Sequence, residues 1–200
     1  MIVNTQTLVL ASTSATRQSL LRAAGVSVTA RKPEVDETSL HKALSHLTPP
    51  QLAVQLAEAK ARSLSAETDA TWVIGADQVL EFEGKVSHKA STATQALQNL
   101  RQMSGKKHFL HSAVSVVQNH RVCFNHLATA TLHMRELSPT FLDFYAVHAK
   151  AALLQSVGGY YVEDLGIQLF ENIDGDINTV MGLPLLPLLA FLRQQGIIIA

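Results

Sequence analysis

Leu8 to Ala11 is a short, unbroken apolar run. It hands over to a leucine-bearing helical pattern through Ala11-Ser12-Thr13-Ser14. An apolar run with so little alternation reads as a strand buried on both faces. Ser14 is a good N-cap for a helix over Thr16–Ala24 with Leu20, Leu21 and Ala24 inward, and Gly25 is its stop. The same handover recurs along the chain. Val26–Ala30 and Trp72–Ala76 read as strands. Thr48-Pro49 opens a helix with Leu52, Leu56 and Ala59 inward, ending near Leu64. Val79–Val86 reads as a hairpin turning at Glu83-Gly84. Ser91–Met103 is a helix with Ala93, Leu97 and Leu100 inward. His108–Val117 and Arg121–Met134 are long strands around Asn119-His120. Pro139–Val147 is a short helix, Tyr160–Ile173 mixes strand and loop, and Pro184–Gln195 is the last helix. Arg31–Pro50, polar and with three prolines, reads as a long loop. Helices alternate with strands, yet several strands are joined by hairpins. The expected architecture is therefore α/β with a mixed, twisted sheet.

Of the 200 residues, 47% are hydrophobic and 16% charged, enough apolar material for one sizeable core. No linker divides residues 1–200, which read as one domain. Sixteen basic residues balance sixteen acidic ones, a poor footprint for a nucleic-acid binder. The single cysteine, Cys123, excludes an internal disulfide and fits a reducing compartment. No apolar run reaches the ~20 residues of a membrane span. No cationic segment precedes the first apolar stretch, as a signal peptide would require. The expectation is a cytoplasmic protein with no membrane partner.

Several stretches carry chemistry. The Ser12–Arg17 turn offers free N–H groups at a helix N-terminus, the hydroxyls of Ser12 and Ser14, and the charge of Arg17, which together suit an anion such as phosphate. The same residues also describe a capped helix with a solvated arginine. In "VIGADQV", Asp77 follows an apolar strand, where α/β proteins gather their ligands. A carboxylate there can hold a metal or take a proton from water, or can cap a turn. "PEVDE" sets Glu34, Asp36 and Glu37 close together, suited to a hard, hydrated cation or to a solvated loop. Lys60, one turn after Leu56, lies at a buried helix edge, where it snorkels or reaches into a cleft. Lys89 reads locally as a surface lysine. Glu163 and Asp164 lie in a glycine-bearing loop. His108 and His111 fall on opposite faces of their strand and complete no zinc site. No P-loop or nucleophile-elbow motif is present.

In this order, "LASTSATRQSLL", "PEVDE", "LAEAKA", "VIGADQV", the lysine of "SHKA", "LRQMSGKKH", "GIQLFENIDGD" and "NTVMGLPL" resemble the Maf family of nucleoside triphosphate pyrophosphatases, also called septum formation inhibitor proteins. The likeness runs from Leu8 to about Leu192. It implies an elongated mixed sheet with flanking helices, in two lobes around a cleft, as in inosine triphosphatase-like proteins. It implies cleavage of a nucleoside triphosphate between the α and β phosphates, giving monophosphate and pyrophosphate, with Mg²⁺ or Mn²⁺ as cofactor. A homodimer is expected from the family alone. Asp77 would activate the attacking water, directly or through the metal. Glu37, Asp77 and Asp36 would be the metal ligands. Ser12, Arg17, Lys60 and Lys89 would bind the phosphates.

Thr16, Gln78 and Glu163 fall at base-reading positions. Relatives read Ser-Pro-Arg-Arg or Ser-Pro-Trp-Arg-Arg where this chain has Ser14-Ala15-Thr16-Arg17-Gln18. Gln78 and Glu163 match the subgroup acting on 7-methyl-GTP, while the missing tryptophan departs from it, so the preference leans to 7-methyl-GTP. Lys89-Ala90 replaces the usual Lys-Pro. The alternatives are a nucleotide-binding regulator of cell division with little turnover, or a house-cleaning hydrolase for modified nucleotides.

Overall fold

A computed structural model describes residues 4–65 and 71–199. Its strands are β1 (Leu8–Ala11), β2 (Thr29–Arg31), β3 (Trp72–Phe82), β4 (Lys85–Ser87), β5 (Lys107–Gln118), β6 (Arg121–Met134) and β7 (Phe170–Asp174). Its helices are α1 (Ala15–Ala23), α2 (Glu37–Ala43), α3 (Pro49–Ser63), α4 (Ala93–Met103), α5 (Pro139–His148), α6 (Lys150–Gln155), α7 (Ile177–Val180) and α8 (Leu185–Gln194), with a 3-10 turn at Leu165–Leu169. The seven strands form one sheet in the order β2-β1-β3-β5-β6-β7, with β4 also on β3. β1 is parallel to β2 and β3, while β4 and β7 run antiparallel to β3 and β6. The sheet is therefore mixed, as expected. The chain divides into two compact units: Met1–Gln78 with Ser112–Ala128 and Gly182–Ala200, and Val79–His111 with Thr129–Met181.

In the first unit, Val9, Ala11, Val73 and Val117 pack with Ala61 of α3 and with Leu64 just past its end. α8 brings Phe191 edge-on to Trp72 and face-on to Phe124. α3 begins with a capping box between Thr48 and Gln51, with proline at its start. Its inner stripe is Leu52, Ala53, Leu56, Ala57, Lys60 and Ala61. Ala59, expected inward, is only half-buried, and Lys60 lies on the buried stripe. Two alanines in that stripe let the helix approach β3 very closely at Gly75. A Cβ there would fall 2.1 Å from the Ala57 carbonyl oxygen and 2.6 Å from the Ala61 nitrogen. Backbone atoms cannot yield cheaply, so Gly75→Ala is expected to cost ~2 kcal/mol and to shift α3 off the sheet. A thermal unfolding midpoint equal to wild type would show that α3 has room to spare.

In the second unit, Leu80, Leu110, Leu132 and Met134 of the strands face Ala96, Leu100 and Met103 of α4, with Leu142, Tyr145 and Leu153 of the helices that follow. The Tyr145 hydroxyl donates to the Gly159 carbonyl at 3.0 Å. Glu83 and Gly84, at φ 50° and 75°, make the β3–β4 turn, and Asn119 and His120, at 49° and 60°, the β5–β6 turn, where the sequence placed them.

Some expectations need correction. The stretch Arg31–Pro50 is not all loop, because Asp36 caps α2 within it. The second strand is Thr29–Arg31, not Val26–Ala30: Val26 is buried, but only Thr29–Arg31 pair with β1. Ala93 is exposed, one turn before the buried stripe of Ala96, Leu100 and Met103. β3 does not stop at Ala76 but runs unbroken into the hairpin, so Asp77 lies within a strand. α6 falls where the sequence pattern predicts no helix, and Asn178-Thr179-Val180, which reads as a loop entering a helix, already forms the short α7.

Candidate functional site

Asp77 nonetheless lies beyond the end of a strand, namely its neighbour. β1 pairs with β3 only as far as Ala11 opposite Gly75. β3 continues past that point, and the chain leaving β1 turns through Ser12 into α1. The close packing at Gly75 sets Lys60 of α3 beside Asp77. The Lys60 ammonium donates to Asp77 Oδ1 at 2.6 Å and lies 3.0 Å from Glu37 Oε1. Lys60 is 7% exposed and Asp77 8%, so this lysine does not snorkel to solvent. Glu37 reaches in from the first turn of α2 and keeps a largely exposed side chain. Glu58 and Arg62, on another face of α3, pair with each other at 2.7 Å.

Arg17 is held from both ends of its unit's sequence. Its Nε donates to the Gly182 carbonyl at 2.9 Å, and its Nη1 approaches Ser12 Oγ at 3.4 Å. Ser12 Oγ also accepts from the Ser14 N–H, and Ser14 Oγ from the Arg17 N–H, so the expected N-cap is present. Burial pulls the guanidinium pKa down, opposed by the charges of Asp77 and then Glu37. An arginine stays protonated through such a shift. Arg17 is thus a fixed, desolvated cation within the field of both carboxylates. Gln78 donates to Ser112 Oγ at 2.9 Å. Gly182, at φ +91°, leaves room beside the Arg17 guanidinium and Gln78 Oε1, which a Cβ there would meet at 3.5 and 3.7 Å. Sequence reading missed Gly182 as the anchor of Arg17. Its only signal is a glycine placed just before the helix-opening Leu183-Pro184.

Asp36 has a structural task. It accepts from the Thr38 and Ser39 N–H groups at 3.1 and 3.2 Å and from the Ser39 hydroxyl at 2.5 Å. The Ser39 hydroxyl and then its N–H hold the Asp36 carboxyl below its ordinary pKa. Among the described residues, no three His, Cys, Asp or Glu side chains gather as a metal cluster, while Asp77 and Glu37 do converge on one point. Asparagine caps a helix as well as aspartate does. Asp36→Asn is therefore expected to leave Mn²⁺ binding unchanged in a calorimetric titration, and weakened binding would return Asp36 to the ligand set.

Thr16 lies in the first turn of α1, half-buried. Lys89 and Glu163 belong to the second unit. Lys89 is exposed and lines a pocket of about 270 Å³ with Ser87, His88, Gln95 and Asn99 among others. Glu163 is exposed near Tyr161, whose phenol pKa is raised by burial and then by the charge of Glu163.

Two cations, Lys60 and Arg17, thus face two carboxylates at the carboxyl end of a parallel strand in the mixed sheet of an α/β protein. The chain belongs to the Maf-like protein family, whose description it matches over residues 7–195. It is 41% identical over 191 residues to a nucleoside triphosphate pyrophosphatase of Nitrobacter hamburgensis, covering 96% of this chain and 95% of that one. It is 42% and 43% identical to the 7-methyl-GTP pyrophosphatases of Rhizobium meliloti and Bartonella quintana, covering 96% of this chain and 97% of each of those. Among solved structures, the Staphylococcus aureus Ham1 protein aligns with a TM-score of 0.38 at 14% identity, over 66% of this chain and 72% of that one. Among the described residues, no helix is long and apolar enough to cross a membrane.

Proposed function

We propose that this chain is a nucleoside triphosphate pyrophosphatase: water adds to the α-phosphorus, the α–β bridging P–O bond breaks, and monophosphate and pyrophosphate leave. The observation that carries the reading is the buried Asp77 carboxylate, held at 2.6 Å from the Lys60 ammonium and within the field of Arg17. Asp77 takes the proton of the attacking water. Arg17, fixed by Gly182 and Ser12, and Lys60 neutralise the oxygens on which charge builds. Ser12 holds Arg17 in place and donates to phosphate through its hydroxyl. Lys89 completes the phosphate contacts, and Thr16, Gln78 and Glu163 select the base; these roles come from the family resemblance.

The donor set fits a divalent metal. Mg²⁺ is held by one or two carboxylates with substrate phosphate and water, and Asp77 and Glu37 converge on a single cation, here the Lys60 ammonium. Those two residues would hold Mg²⁺ or Mn²⁺, which when bound lowers the pKa of water and offsets phosphate charge.

For the base, 7-methyl-GTP is the preferred substrate, on the strength of Gln78 and Glu163 and of the relatives that carry that name. The test is pyrophosphate release from dTTP, UTP, GTP and 7-methyl-GTP with Mg²⁺ or Mn²⁺. Fastest release from 7-methyl-GTP supports the whole reading. Fastest release from dTTP or UTP overturns the base assignment, and no release from any of the four overturns the enzyme.

A further inference from the structure

Lys60 is placed unlike a lysine that only waits for substrate. Its stem lies on the buried stripe of α3, and its ammonium bridges two carboxylates from different elements, Asp77 Oδ1 of β3 at 2.6 Å and Glu37 Oε1 of α2 at 3.0 Å. Without it, the carboxylate of the buried Asp77 would face a second one with no positive charge between them, an arrangement that disfavours both charges. The point where these oxygens converge is also the point that a divalent cation would need. An ammonium and a metal cannot use the same lone pairs, and their like charges repel at this range. Arg17 is fixed by the Gly182 carbonyl and Ser12. Lysine is a compact charge on a flexible four-carbon stem with no fixed fork, so it is the cation able to leave.

We propose that Lys60 is the resident counter-ion of the Asp77–Glu37 pair, competing with the divalent metal for the same oxygens and released towards substrate phosphate when the metal binds. The inference rests on the metal-assisted reading above. It gives Lys60 two positions, one that bridges the two carboxylates before loading and one that serves the polyphosphate afterwards.

The test is Mn²⁺ binding to the full chain without nucleotide, measured by calorimetry and by the electron paramagnetic resonance signal of free Mn²⁺. Lys60→Met removes the competitor and is expected to bind Mn²⁺ at least roughly tenfold more tightly than wild type. Lys60→Arg, which keeps the charge, is expected to bind no more tightly than wild type. In wild type itself, saturating Mg²⁺ is expected to speed modification of Lys60 by an amine reagent, read by mass spectrometry, more than that of the exposed Lys85 or Lys107. This last readout needs no variant to fold. Unchanged or weaker Mn²⁺ binding by Lys60→Met, or Lys60 labelling indifferent to Mg²⁺, would overturn the counter-ion role while leaving the metal site standing. Mn²⁺ binding that survives Asp77→Asn and Glu37→Gln undiminished would instead remove the metal from this site, and the proposal with it.

Discussion

Asp77→Asn is expected to lower the rate of pyrophosphate release by about 10³-fold while nucleotide binding is largely retained. A positioned general base typically contributes 10²–10⁴-fold, and the amide has no basic lone pair to take a proton. The substitution is nearly isosteric. The amide oxygen still accepts from the Lys60 ammonium, now 2.6 Å from Oδ1, and β3 keeps its pairing with β1 through Gly75. Lys60 and Arg17 remain as cations for the phosphates, and losing one nearby negative charge strengthens their hold on a polyanion, which offsets the weaker hold of the remaining Glu37 carboxylate on the divalent metal. The expected signature is thus a collapsed kcat with a KM that is unchanged or lower. Steady-state kinetics, with calorimetric binding of a non-hydrolysable triphosphate, check it. Full activity in the variant would take Asp77 out of the mechanism. A loss of binding equal to the loss of rate would make it a binding residue only.

The sequence exposed the local devices well and the tertiary ones poorly, and the reason is physical. The Ser14 cap, the Thr48-Pro49 helix start and both two-residue turns rest on contacts a few residues apart, so short-range chemistry is enough to find them. The length of β3 depends on other strands. Pairing continues beyond the end of β1, and no pattern within "VIGADQV" states that. The 2.1 Å clash that reserves Gly75 for glycine belongs to α3, whose stripe is more than ten residues away in sequence. Asp36 and Glu37 are adjacent and chemically alike, yet one turns back to cap α2 and the other turns inward to Lys60. Only the helix that starts between them separates their roles, and that helix was hidden in a stretch rich in polar residues and prolines. For Lys60, its place one helical turn after Leu56 predicts a buried edge. Its two partners come from β3 and α2, which composition and periodicity do not bring together.

His108 should make the protein lose stability on mild acidification, by about 3 kcal/mol in total between pH 6.5 and pH 4. The imidazole is fully buried in the second unit's core, between the rings of Tyr160 and Phe170. Its Nε2 shares a hydrogen bond with the Tyr160 hydroxyl at 2.7 Å, and its Nδ1 has no partner among the described residues. A proton on that ring would place an uncompensated charge in an apolar cluster, so burial lowers its pKa to about 4. In the unfolded chain the same histidine titrates near 6.5. Between these values the unfolded state binds more protons than the folded one, so stability is complete above about pH 6.5, falls as the pH drops towards 4, and levels off below it. The contribution of His108 is isolated by comparison with His108→Gln. The variant is expected to be less stable at neutral pH, because it leaves space and loosens the Tyr160 bond. Its loss between pH 7 and pH 4.5, measured by urea unfolding at each pH, should be smaller than wild type's by about 2 kcal/mol. Equal losses in the two proteins would mean that His108 is hydrated or paired in solution, and that the acid sensitivity of the second unit lies elsewhere.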